Sequence, residues 1–483
     1  MSGPLELRPA LPALIVAGTG LALLLAQAFS PRGIARRSSQ VAILGLVGAL
    51  WATLAVAPTL PSRVGLAGVL YLDAFAAFFH VLILGCGVVA FLLSPAYFED
   101  AGGDRGEYYA LACFSIVGML GLVSARELIS LFIALEIMSV SLYALVGIQR
   151  DRPAGLEAAL KYFVTGAFAS AFLLYGVAFL YGATGSTSLV RIGRALARPE
   201  GDLALMALVG TGLLLVGFGF KIASAPFHMW APDVYQGAPT PVTGFMAAAV
   251  KVAALGAMLQ VLGVALGGLA ADWRAALALL ALLTMVLGNL GALAQENVKR
   301  MLAFSSIAHA GYLLTGLVAP IREAGTAVLF YLAGYAAVSL AGFGTLAALA
   351  RGGREPSTLD DLAGLAARRP WLAAGFTLVL ISLTGVPISA GFVGKFFLFR
   401  AAVQADYTIL AVVGVLTSVI SAYYYLRVVV AMYMRPPAGD DPWARVTHGA
   451  ALGLALSAAI VIGLGVYPGP LLELAREAAL TIR

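Results

Sequence analysis

Fourteen runs of about twenty mostly apolar residues, separated by short polar segments, govern what this 483-residue chain can become. Inside a bilayer no water serves the backbone, so each N–H and C=O must bond within the protein, and each run is read as a membrane-spanning helix. Walking the hydropathy with a window of about 19 residues places the spans at 11–29, 39–60, 71–94, 108–124, 128–147, 156–181, 203–225, 242–266, 273–293, 301–319, 324–350, 371–400, 407–433 and 449–467. Composition agrees: 61% of residues are hydrophobic and 11% charged, against about 25% charged in soluble domains. The fold class is all-α and polytopic. A net charge of +6 then describes loops facing headgroups and water, and argues against a nucleic-acid partner. Arg8 alone precedes the first run, with no small-residue cleavage site behind it, so that run reads as a retained helix and not a signal peptide.

An even span count puts both termini on one side. Loops after the odd-numbered spans collect Arg32, Arg36, Arg37, Arg150, Arg152, Lys299, Arg300, Arg351, Arg354, Arg368 and Arg369, whereas the other side concentrates only Arg191, Arg194 and Arg198. The positive-inside bias therefore places both termini outside.

Two spans carry helix breakers in their middle or at their end. The seventh meets Pro226 and Pro232, and the twelfth holds Gly385, Pro387 and Gly391. Irregular backbone at membrane depth is tolerated only where it is buried in protein or lines a cavity. Spans 4–8 and 9–13 repeat at a spacing of roughly 165 residues, and the breaks share a slot; five helices per set make the second copy inverted, a pattern that marks transport pathways. The expected division is 1–105 for the first three helices, 106–266 and 267–435 for the two repeats, and 436–483 for the last helix.

Lysine is scarce, five residues against 25 arginines, and Lys161, Lys221, Lys251 and Lys395 fall inside apolar spans. Arginine stays charged in any protein, whereas a lysine in a dry setting can release its proton. Glu136 is the carboxylate at the centre of a span, with Lys221 as its candidate partner, because intramembrane charges face the bundle interior and pair. His228 follows the first break and carries an imidazole suited to proton exchange near neutrality. Together Glu136, Lys161, Lys221, His228, Lys251 and Lys395 read as a proton relay, although Lys161, near the start of its span, also suits snorkelling to an interface. His309, with Ser305, Ser306 and Tyr312, extends a hydrated path. Asp73 and Arg427 suit structural roles near span ends, and His80 suits packing. Cys86 and Cys113 lie in spans without a CxxC or Cys/His cluster, which supports neither disulfide nor metal nor iron–sulfur site. Hydrolase and nucleotide-binding motifs are absent from the sequence.

The stretch FKIASAPFHMWAPDVYQGAPTPVTGFMAAAVK resembles the subunit N family of the proton-pumping NADH–quinone oxidoreductase, respiratory complex I. So do LEIMSVSLYALVG, ALKYFVTGAFASA, NVKRMLAFSSIAHAGY and GVPISAGFVGKFFLF, so that the likeness covers nearly the whole chain. The YQGAPTPVT wording and a lysine at Lys395 favour N over the related subunits M and L, and the lack of a long lateral helix at the C-terminus argues against L. The resemblance implies an antiporter-like subunit of the membrane arm, with the family's proton-path residues at Glu136, Lys161, Lys221, His228, Lys251 and Lys395. It further implies that FMN, iron–sulfur clusters and quinone bind partner subunits and none binds here, that other antiporter-like subunits flank this one in the bilayer, and that the location is an energy-transducing membrane, the bacterial cytoplasmic membrane. The rival readings are a multisubunit cation/proton antiporter and a ferredoxin- or hydrogenase-linked relative.

Overall fold

The computed structural model describes residues 7–29, 37–57, 64–65, 69–100, 106–197, 201–437 and 443–482; three of the loop arginines, Arg32, Arg36 and Arg198, lie outside these. The helices are α1 (Leu11–Phe29), α2 (Ser38–Val56), α3 (Ala74–Leu93), α4 (Gly106–Ser124), α5 (Leu128–Val146), α6 (Pro153–Thr184), α7 (Gly201–Ile222), α8 (Thr240–Ala265), α9 (Ala270–Leu293), α10 (Val298–Leu317), α11 (Ile321–Leu349), α12 in two halves (Pro370–Thr384 and Ala390–Gln404), α13 (Thr408–Met434) and α14 (His448–Val466). Past the last expected span, the short α15 (Gly469–Leu480) follows. Among the described residues twelve helices are long and apolar enough to cross a membrane. The two that fall short are the polar α10 and the divided α12, and with them the expected fourteen are complete.

Burial sorts the helices into centre and rim. The most apolar stretches of α8 and α11 are wholly enclosed by protein, whereas α1, α2 and α14 turn most of their side chains outward, as lipid-facing helices do. Polar side chains close the helix starts: Asp73 caps α3 by accepting from Ala76 N at 2.9 Å, and Asn297 caps α10 by accepting from Arg300 N at 2.9 Å. Asp73 also pairs with Arg126, and Arg427 donates to the Gln295 carbonyl, so both hold loops as expected.

The internal repeat is visible in the backbone. Leu128 N donates to Thr187 O at 2.9 Å, and Val298 N donates to Ser357 O at 2.7 Å, with both partners shifted by the same number of positions. A Cβ on Gly118 would lie 2.4 Å from Met138 N; shifted by that same offset, one on Gly288 would lie 2.5 Å from Ala308 N. Each set thus opens with two helices in backbone contact across a glycine, the close approach that small residues permit in lipid.

The breaks follow from local sequence. After α7 the chain turns at Ala223, at φ 57°, before Pro226 and Pro232 restart it as the short helix Ala231–Gly237. In α12, Gly385 (φ 91°) ends the first half and Ser389 caps the second. Gly391 then passes so close to Ser382 O that a Cβ would lie 1.8 Å from it. Only glycine fits there.

Candidate functional site

Four of the five lysines are buried, but not the expected four. Lys221, Lys251, Lys299 and Lys395 are each 5% exposed or less, whereas Lys161 keeps 46% of its side chain in the open. Lys161 pairs with Glu157 at 2.7 Å and Asp233 at 2.9 Å at the mouth of a surface cavity of about 330 Å³. This corrects its expected place in the buried relay: it stands near the start of α6, and its long stem carries the ammonium to the surface. Arg300 also reaches Asp233, at 2.6 Å. Partial burial pulls the Asp233 carboxyl up, and the hydrogen bonds from Lys161 and Arg300 outweigh it, leaving the group below the usual carboxylate range.

Lys299, expected as a loop charge, lies at the inner wall of this cavity. Its ammonium donates to Ala238 O at 2.6 Å and to Glu355 at 3.3 Å. Glu355 collects further groups: the hydroxyls of Thr240 and, at 3.3 Å, Tyr97, with Arg152 at 3.7 Å. One carboxylate thus ties the segment after α3, the loop before α6, the start of α8 and the start of α10.

Deeper in, the first repeat holds Glu136 and Lys221. Glu136, half-buried on α5, accepts from Ser170 of α6 at 2.5 Å. Lys221, in the last turn of α7, donates to Ser139 at 2.7 Å, one turn along α5 from Glu136. The direct ion pair expected between them is not formed, because each charge takes a serine hydroxyl instead. The rings of Tyr143, Tyr162 and Phe220 surround the ammonium at 5.5–5.7 Å. His228 is buried, and its Nδ1 meets no partner among the described residues. No hydrogen bond joins it to Lys221.

The second repeat contains a longer polar chain. Lys251 of α8 donates to Ser306 Oγ at 2.6 Å and to the Ser306 carbonyl, and Tyr335 of α11 donates to the same hydroxyl at 2.8 Å. The Tyr335 ring lies 5.4 Å from that of His309, which is hydrogen-bonded to Tyr331 and, at 3.4 Å, to Tyr425. His309 in turn packs its ring 5.3 Å from Tyr312, over which the Lys395 ammonium sits at 4.6 Å. Lys395 itself donates to the carbonyls of Leu383 and Thr384, at 2.9 and 3.0 Å, and to Ser418 at 3.1 Å. A cavity of about 10 Å³, the size of one water, borders Ser306, Tyr335, Ser339 and Leu383. Lys251 and Lys395 are therefore linked through His309 and tyrosines. Two π-helical turns, Met246–Val250 and Val261–Ala265, flank the stretch of α8 that starts at Lys251, a deviation found mostly at functional sites.

From the cage of Lys221 a series of aromatic contacts leads to α11. Tyr162 stacks on Trp230 at 4.5 Å, Trp230 meets Tyr235 at 6.1 Å, and Tyr235 meets Phe343 of α11 at 6.0 Å. His80 bonds Ser124 at 2.9 Å beside α4, apart from this chain, as a packing residue would. Among the described residues no three of His, Cys, Asp and Glu converge to hold a metal, and both cysteines are free and buried.

Residues 125–421 match the family described as NADH:quinone oxidoreductase/Mrp antiporter, TM. The NADH-quinone oxidoreductase subunit N of Trichlorobacter lovleyi is 43% identical over 98% of this chain and 97% of its own length. Among solved structures, a chain of respiratory complex I from Thermus thermophilus with bound aureothin is 38% identical, with a TM-score of 0.81 over 96% of this chain and 98% of that one. A chain of the Mrp complex from a Dietzia species superposes at a TM-score of 0.85 over 99% and 98%, but at 23% identity, a likeness of fold alone.

Proposed function

Because this chain belongs to the NADH-quinone oxidoreductase subunit N family, a branch of the NADH:quinone oxidoreductase/Mrp antiporter membrane proteins, we propose that it carries protons across the bilayer within the membrane arm of that enzyme. The observation that supports this most is the buried chain of exchangeable groups from Lys251 through Ser306, Tyr335, His309 and Tyr312 to Lys395. Lysines, hydroxyls and an imidazole can each give and take a proton, and the one-water cavity beside Ser306 shortens the step to the Lys395 cradle. Glu136 and Lys221 form the corresponding station of the first repeat, and the charged mouth with Lys161, Asp233 and Glu355 supplies protons from water. His228 serves as a buried imidazole beside the first break.

In this reading the chain holds no redox centre. FMN, iron–sulfur clusters and quinone sit in partner subunits, other antiporter-like subunits flank this one, and the membrane is the bacterial cytoplasmic membrane with both termini outside. The division at residues 105, 266 and 435 separates the two repeats from their flanking helices. Two measurements test the proposal. The chain should co-purify with NADH-oxidising flavoprotein subunits, whereas isolation with antiporter subunits alone would transfer it to the antiporter reading. Vesicles carrying Lys251→Met should lose NADH-driven acidification while NADH oxidation by a soluble acceptor persists; pumping at the unaltered rate would refute the relay.

A further inference from the structure

Asn289 of α9 is fully buried, and both polar atoms of its amide are engaged. Its Nδ2 donates to Met285 O at 2.8 Å and to the Tyr312 hydroxyl at 3.2 Å, and its Oδ1 accepts from the Tyr424 hydroxyl at 3.0 Å. Turned over, the amide would set Oδ1 against the Met285 carbonyl, so its orientation is fixed. The next bond has a fixed direction as well. Thr417 gives its hydroxyl proton to the carbonyls of its own helix, Val413 O at 2.8 Å and Gly414 O at 3.1 Å, and so can only accept from Tyr312, at 3.4 Å. Hydrogen bonds thus run one way from Tyr424 of α13 through Asn289 of α9 and Tyr312 of α10 back to Thr417 of α13.

This clamp fixes what Tyr312 can offer Lys395. The hydroxyl is committed on both sides, which leaves the ring face, over which the Lys395 ammonium sits at 4.6 Å. Edge contacts of that ring with His309, at 5.3 Å, and Phe399, at 5.9 Å, tolerate tilting, whereas a hydroxyl bonded on two sides does not. At the offset that relates Gly118 to Gly288, the first repeat carries Met119 and Leu142 in the places of Asn289 and Tyr312. Neither donates a hydrogen bond, so the same helix pair packs there without a clamp. The amide goes with the tyrosine, and the tyrosine with the lysine above it.

We propose that Asn289 is a positioning residue of the relay: by holding the Tyr312 hydroxyl toward Thr417 it keeps the ring face beneath the Lys395 ammonium, at the joint between His309 and the second half of α12. A ring face attracts an ammonium through its quadrupole, and the attraction falls away when the ring tilts or slides. The inference rests on the proton-relay reading above and deepens it.

The test uses the assembled enzyme in sealed vesicles, with NADH-driven acidification as the readout and NADH oxidation by a soluble acceptor as the check on assembly. Asn289→Leu, close in volume, should lower acidification about fivefold, the rate equivalent of one net hydrogen bond. Tyr312→Phe frees the ring in the same way and should lower it by the same factor, and the double variant should fall no further. Thr417→Val keeps the shape but loses the accepting oxygen and should also fall, whereas Thr417→Ser, which keeps that oxygen, should pump as wild type. Wild-type pumping by Asn289→Leu, losses that multiply in the double variant, or a Thr417→Ser as poor as Thr417→Val would each overturn the assignment. If Asn289→Leu does not assemble, the Thr417 pair decides. Lys251→Met, run in parallel, separates the two readings: its failure to pump beside an unimpaired Asn289→Leu overturns the positioning role alone, whereas its pumping at the unaltered rate removes the relay and the positioning role with it.

Discussion

The breaks after α7 and within α12 occupy the same slot of their repeats, yet their loose backbone groups are satisfied by different means. At the first, the protein uses neutral donors: Trp230 Nε1 bonds Phe220 O at 3.2 Å, and Ser224 N bonds Gly219 O at 2.8 Å. At the second, the carbonyls of Leu383 and Thr384 are served by the Lys395 ammonium itself. Lys221, before its break, is a guest in an aromatic cage with one serine. Lys395, after its break, is part of the backbone repair. A lysine that repairs a helix cannot be removed without harm to the fold, whereas a caged lysine can be exchanged with the architecture intact.

The largest effect should therefore come from Lys395→Met. Losing the ammonium orphans the buried Leu383 carbonyl, at about 1–3 kcal/mol, and leaves the half-buried Thr384 carbonyl without this donor, so the solubilised complex should melt earlier as well as stop pumping. A wild-type melting curve for that variant would erase the contrast. Lys221→Arg sharpens it from the other side: charge and hydrogen bonding are kept, but the guanidinium does not release a proton. Assembly should be normal and NADH-driven pumping should fall nearly as far as in Lys221→Ala; wild-type pumping would reduce Lys221 to a counter-ion. Trp230→Phe removes one neutral donor while keeping the stack on Tyr162, and should cost about 1 kcal/mol of thermal stability with pumping largely preserved. A loss as large as that of Lys395→Met would make the two repairs equivalent.

The smallest effect concerns the loop that leads into α12. Partial burial pulls the Asp361 carboxyl up, but the backbone N–H groups of Ser357 and Thr358, at 2.9 and 2.8 Å, with the Thr358 hydroxyl, hold it below the usual carboxylate range. A depressed carboxylate stabilises the fold above its unfolded pKa, and the contribution is lost as pH falls through the folded value. Asp361→Asn should thus melt below wild type at neutral pH, with the gap closing on acidification. A gap independent of pH would show that the carboxylate charge plays no part in bracing the loop.

Helices, breaks and the lysines at the breaks were legible because hydropathy and breaker residues act locally. Lys161 and Lys299 show where that legibility ends. Lys161 lies in an apolar run, yet its place near the start of α6 and the carboxylates of Glu157 and Asp233 draw it to the surface. Lys299 lies in a run of loop-like charge, yet Glu355 and the Ala238 carbonyl enclose it, and both reach it across many residues of chain. His309 was visible as a polar residue on a helix, but its central place between Lys251 and Lys395 depends on tyrosines of α11 and α13. The serines that separate Glu136 from Lys221 carry no pattern that distinguishes them from serines packing elsewhere.

Glu355 changes how sequence variation on that face should be counted. Four segments meet on one carboxylate, so the cost of losing the Thr240 hydroxyl depends on whether Lys299, which reaches both oxygens, still holds the group, and the cost of losing Arg152 depends on both. Single substitutions there will not sum, and double-mutant cycles among Tyr97, Arg152, Thr240 and Lys299 should return sizeable interaction energies where distant pairs return none. The heritable unit on this surface is the cluster: its members can change together between relatives at little cost, and singly only at a high one.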